Sequence, residues 1–130
     1  MKTIHKAGKR KRAIAKATIN AGKGSVRINS IPLENYQPEI AKLRITEPLL
    51  IAGDSINKLD IKVKVVGGGW QAQANAVRLA IARALVETKK SLKQAFLDYD
   101  RHLLVADTRF KEACKPNDSK ARAKRTKSYR

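Results

Sequence analysis

A chain of 130 residues has room for one modest domain, and its 42% hydrophobic content supplies a core. Against that core, 29 Lys and Arg face 11 Asp and Glu, a formal net charge of +18 that implies an anionic partner. One cysteine, Cys114, excludes an internal disulfide framework, and two distant histidines, His5 and His102, give a zinc site little to draw on.

The charge sits at the two ends. Residues 1–27 carry +9 with no acid, residues 28–108 carry +2, and residues 109–130 carry +7. The opening "MKTIHKAGKRKR" has no apolar run behind it, so it does not read as a secretory signal. No stretch approaches the roughly 20 apolar residues of a membrane span, so a soluble intracellular protein with no membrane partner is expected.

"RAIAKATIN" (Arg12–Asn20) and "SVRIN" (Ser25–Asn29), separated by "AGKG", read as a β-hairpin, preceded by a short strand around Thr3–Lys6. The run Lys9, Arg10, Lys11, Arg12, with Lys16, then falls at or beside strand ends. Pro38 and Glu39 suit a first helical turn, and Pro48 predicts two short helical pieces rather than one. "DIKVKVV" (Asp60–Val66) is the clearest strand, with Ile61, Val63 and Val65 on one face and Lys62 and Lys64 on the other. In "WQAQANAVRLAIARALVET", Trp70, Ala74, Val77, Ile81, Ala84 and Leu85 share a helical face, and the many alanines allow close approach to a sheet. "SLKQAFLDYDRHLL" (Ser91–Leu104) reads as another helix capped by Ser91, with Leu92, Ala95, Phe96, Tyr99 and Leu103 on its apolar side. The fold class is α/β, an α+β two-layer sandwich of about four strands with helices on one face. Residues 1–108 are expected to form one globular domain and residues 109–130 an extended basic tail.

Catalysis finds no support. Asp98 and His102 read as a surface i,i+4 helix pair, and no second histidine or cysteine completes a triad. Gly67, Gly68 and Gly69 between strand and helix suggest an anion loop, but no Lys-Ser or Lys-Thr follows. A tight turn is the simpler reading, and RNA backbone approaching these glycines is a further option. No cofactor, metal or small-molecule substrate is called for. An architectural DNA-binding protein and a small phosphotransferase are the rivals from other classes.

From Lys115 to Arg130 seven cations face one acid, Asp118. A segment this polar does not repay its ordering entropy without a partner. On single-stranded nucleic acid, seven phosphate contacts give a log–log salt slope of about −5. Tyr129 adds a ring able to stack on a base or sugar.

Four segments, in this order and spacing, resemble the small-subunit ribosomal protein nine family over nearly the whole chain: "AGKRKRAIAKATINAGKGSVRIN", "VVGGGWQAQANAVRLAIARALVE", "LLVADTRFKE" and "KARAKRTKSYR". The resemblance implies a fold like the second domain of ribosomal protein five. It implies binding to small-subunit ribosomal RNA in the subunit head, beside neighbouring head proteins, and a tail reaching peptidyl-site tRNA in the cytoplasmic ribosome. The positions expected on ribosomal RNA are Lys9, Arg10, Lys11, Arg12, Lys16, Lys62, Lys64, Gly67, Gly68, Gly69, Lys120, Arg122, Lys124 and Arg125. Those expected on tRNA are Lys127, Ser128, Tyr129 and Arg130, with Arg130 on a phosphate. The ending Ser-Tyr-Arg resembles the archaeal and eukaryotic form, Tyr129 replacing the bacterial Lys. Ala72 stands where many members have Gly, and the aromatic that many members place upstream of the terminal serine is missing.

Overall fold

A computed structural model describes residues 2–118 and 120–122. Strand β1 (Ile4–Arg10) and strand β2 (Ala13–Ala21) form an antiparallel hairpin in which Arg10 pairs with Ala13. Only Lys11 and Arg12 connect them, and Lys11 takes φ +52°, as tight hairpins require. The hairpin is thus β1–β2, not the expected pairing of Arg12–Asn20 with Ser25–Asn29. The short strand expected around Thr3–Lys6 is its seven-residue first arm.

The reason for that difference lies at Asp60. After β2 the chain does not fold back on itself but crosses the start of strand β5 (Leu59–Val66). The Asp60 carboxylate accepts the backbone N–H groups of Lys23 (2.9 Å) and Ser25 (3.1 Å), and Gly22 N–H donates to the Lys58 carbonyl at 3.0 Å. A Cβ at Gly22 would fall 2.0 Å from Asp60 Cγ, so only glycine fits the crossing. Strand β3 (Val26–Ile28) then runs parallel to β5 on its far side, and β4 (Ile31–Pro32) forms the edge. The sheet has five strands, in the order β1-β2-β5-β3-β4. Asn29 extends the β3 pairing with its side chain, donating to the Val65 carbonyl (3.0 Å) and accepting the Val65 N–H (2.9 Å).

Helix α1 (Glu39–Ala52) runs unbroken through Pro48, where two pieces were expected. An interior proline costs about 3 kcal/mol. Burying Ile45 and Leu49 on the same face contributes about 1.5–3 kcal/mol each and outweighs it. Helix α2 (Trp70–Thr88) buries Ala74, Val77, Ile81, Ala84 and Leu85 as its spacing predicts. Trp70 departs from that face because it is the first helical residue, and it lies partly exposed. The alanine face does meet the sheet closely: a Cβ at Gly8 on β1 would sit 2.3 Å from the Ala76 carbonyl oxygen.

Helix α3 (Leu92–Tyr99) ends earlier than expected, at Asp100, whose backbone is extended; a 3-10 turn, Arg101–Leu103, follows. Leu92, Phe96 and Leu103 are buried, whereas Ala95 and Tyr99 are exposed. Ser91 stands at the N-cap position as expected, but it has helical dihedrals and its side chain makes no capping hydrogen bond. Asp98 and His102 therefore share no helix face. Asp98 accepts from Gln94 Nε2 (2.8 Å), and His102 N–H donates to Asp100 (2.9 Å). Helix α2 packs on the inner sheet face, where Ala13, Ala15, Ala17, Ile19, Ile61, Val63 and Val65 are buried, and α1 and α3 pack against α2. Among the described residues, nothing covers the opposite face of the sheet.

Candidate nucleic-acid interface

Strand register sets the chemistry of that open face. Alternation sends Lys62 and Lys64 of β5 outward, Lys16 and Thr18 of β2 beside them, and Arg27 of β3 on the far side. Lys64 lies directly opposite Lys16, and Lys62 lies between Thr18 and Arg27, with His5 beyond Thr18. The row Arg27–Lys62–Thr18–His5 spans three strand spacings, about 14 Å. His5 Nδ1 and Thr18 Oγ1 are hydrogen-bonded at 2.9 Å. These side chains line an open groove of about 1110 Å³.

Like charges directly opposite on a sheet destabilise it. Among the described residues, Lys16, Arg27, Lys62 and Lys64 make no ion pair. Among the described residues of this face the one acid is Asp60, two residues before Lys62 on β5, and the amides of Lys23 and Ser25 keep its carboxyl below the usual range. Val66 and Ile14, paired across β5 and β2, add an exposed apolar margin. The face thus offers a cationic grid spaced about 5–7 Å apart, next to apolar surface.

The hairpin tip divides its four cations. Lys11 and Arg12 form the exposed turn. Arg10 instead turns inward: its Nη2 lies 3.2 Å from Asp107 Oδ2, and its Nη1 donates to the Arg109 carbonyl at 3.2 Å. Asp107 also takes Arg109 Nη2 at 2.6 Å and the Arg109 backbone N–H at 3.0 Å. Arg109 and then Arg10 hold the Asp107 carboxyl far below the usual carboxylate range. Lys9 Nζ stands 5.4 Å above the Phe110 ring. Arg83 of α2 donates to the carbonyls of Leu104 (2.9 Å) and Ala7 (3.0 Å). Residues 104–110 are thereby strapped along β1 before the chain continues without helix or strand through Lys115.

The glycine run divides too. Gly67 and Gly68 take φ +77° and +68°, and a Cβ on Gly67 would lie 2.5 Å from the Arg12 carbonyl oxygen. These two form a tight turn packed on the start of β2. Gly69 faces open space at the head of α2. Lys120 and Arg122 are exposed, and Arg122 Nε donates to Glu112 at 2.7 Å. Lys124, Arg125, Lys127, Ser128, Tyr129 and Arg130 lie outside the described residues.

Sequence reasoning passed over His5, Thr18 and Arg27 on the open face, and Arg83 and Asp107 in the strap. Arg27 is readable in principle, since alternation in "SVRIN" sets it opposite Val26 and Ile28; the unexpected partner strand hides its neighbours. Elsewhere the chemistry is sparse. Among the described residues no three of His, Cys, Asp and Glu gather for a metal, no helix is long and apolar enough to cross a membrane, and Cys114 is an exposed free thiol.

Fold and face together define a basic α/β protein with an open, cationic sheet face. A family model described as ribosomal protein S9/S16 matches residues 8–130. The chain is 46% identical, over the full length of both, to the small ribosomal subunit protein uS9 of Methanothrix thermoacetophila. This chain belongs to the ribosomal protein S9/S16 family. Membership makes it a structural, non-enzymatic component of the small ribosomal subunit in the cytoplasm, and it implies ribosomal RNA and ribosomal proteins as partners.

Proposed function

We propose that the globular body, residues 1–108, clamps folded ribosomal RNA of the subunit head through the open sheet face and the hairpin tip. The observation that carries this reading is the set of opposed cations Lys16–Lys64 and Lys62–Arg27, which have no acidic partner among the described residues. A protein keeps such pairs at a cost to its own sheet, and phosphates offset that cost. Lys9, Lys11, Arg12, Lys16, Lys62 and Lys64 position the RNA backbone without reading sequence, and Gly69 leaves room for backbone approach. Arg10 acts one step removed, by holding the strap.

The tail, residues 109–130, follows RNA with Lys120, Arg122, Lys124 and Arg125 and ends at the anticodon stem-loop of peptidyl-site tRNA. There Lys127, Ser128 and Tyr129 make contact, and Arg130 meets a phosphate. Support comes from the seven-to-one excess of cations over acids from Lys115 onward and from the family match through residue 130. Co-sedimentation with small subunits through a high-salt cushion tests the body, where retention is expected. Deleting residues 127–130 tests the tail. Assembly should persist while tRNA holding weakens, and failure to enter the subunit would refute the tail's assignment.

A further inference from the structure

The outer side of α1 is apolar where a surface helix normally carries charge. Its inner residues Ala41, Ile45, Pro48 and Leu49 are buried, yet Ile40, Leu43 and Leu50 on the other side are 59%, 62% and 76% exposed. At 3.6 residues per turn these three fall within a sector of about 80°, which they share with Glu47, whose carboxylate is turned to Arg78. They are neighbours on one side of the helix, not isolated exposures.

The charge around them differs from the rest of the molecule. In a chain of net +18, residues 30–57 hold Glu34, Glu39, Glu47 and Asp54 against Lys42 and Arg44, a net of −2. Glu34, Glu39 and Asp54 are exposed and make no ion pair among the described residues. Both cations are turned to acceptors within the protein: Lys42 Nζ donates to the Glu34 carbonyl (2.8 Å) and Arg44 Nη1 to Asn75 Oδ1 (3.1 Å). A phosphate backbone arriving here would meet carboxylates and apolar side chains. We infer that this face of α1 docks a second protein of the subunit, one that presents apolar side chains within a basic rim.

The two large faces then divide the work, the uncovered sheet taking the polyanion and the helical layer taking a polypeptide. The test places the photoreactive residue p-benzoylphenylalanine at position 43 or 50, in small subunits assembled from ribosomal RNA and the full protein set. Irradiation should link this chain to one other subunit protein. Links to RNA, links only to a second copy of this chain, or no link in assembled particles would each overturn the inference. A companion variant, Leu43→Glu with Leu50→Glu, should leave the free protein's melting point and RNA affinity unchanged. It should lower retention of the linked protein at least tenfold in salt-washed particles. Unchanged retention would also overturn the inference. Loss of RNA affinity alone would instead count against assigning RNA to the sheet face.

Discussion

Arg10 on β1 and Asp107 beyond α3 meet at 3.2 Å, joining the first strand to the segment that leads out of the domain. Both side chains are largely shielded, 18% and 13% exposed, so the pair is screened less than a surface contact. Asp107→Asn should release residues 104–110 without unfolding the core. A nitroxide on Cys114, the chain's single cysteine, would report this as faster motion while the melting midpoint moves little. An unchanged spectrum would mean that Arg83, the Arg10–Arg109 carbonyl bond and Lys9 over Phe110 hold the strap without Asp107.

The pH dependence of the strap follows from the same pair. A carboxyl depressed in the folded state contributes stability above its unfolded pKa, about 3.9, and loses that contribution as pH falls through the folded value. The Asp107 carboxyl lies far below the usual range. Label motion at Cys114 should therefore stay constant from pH 8 to pH 5 and rise only in strong acid.

Lys16→Ala, Lys62→Ala and Lys64→Ala should each reduce the magnitude of the log–log salt slope for a head-domain RNA fragment by about 0.7–0.9. The free protein should be no less stable, because each change removes a like-charge neighbour. Lys93→Ala on α3 should leave the slope unchanged. Anisotropy titrations over a range of KCl concentrations read all four.

Gly8→Ala should destabilise by about 1–3 kcal/mol or more, since the new methyl meets the backbone of α2. Gly69→Ala faces open space at φ −89° and should cost less, about 0.5–1 kcal/mol, the preference of an N-cap for glycine over alanine. Urea denaturation separates the two. If Gly69→Ala keeps its stability yet weakens RNA binding, the RNA backbone reaches that glycine.

Asp60→Ala should expose the amides of Lys23 and Ser25 and loosen the crossing between β2 and β3. Hydrogen exchange at those two amides should quicken, with protection retained in the core of β5.

What the sequence disclosed followed from how local each signal was. Strand β5 is legible because one face is buried and the other carries Lys62 and Lys64, so alternation alone defines it. The alanines of α2 announce close packing, which Gly8 completes. The partner of β2 is obscured because a local turn is the default after "AGKG", whereas the actual turn depends on Asp60, distant in sequence. Half of β1 escapes notice because Ala7 and Gly8 give no apolar alternation; α2, not side-chain burial, covers that strand. Asp107 reads as one acid in a polar run, and only the fold brings Arg10 to it.

Strand β5 lies between β2 and β3, yet it is synthesised after both. At about 5–20 residues per second, roughly 4–18 s pass before a ribosome has made the chain through α2. In that interval the β1–β2 hairpin can close, but Ala13, Ala15, Ala17 and Ile19 have neither β5 nor α2 to cover them. The nascent chain is then a half-built sheet with an open edge and nine cations ahead of its first acid. It competes for nucleic acid before it has the shape to choose among nucleic acids.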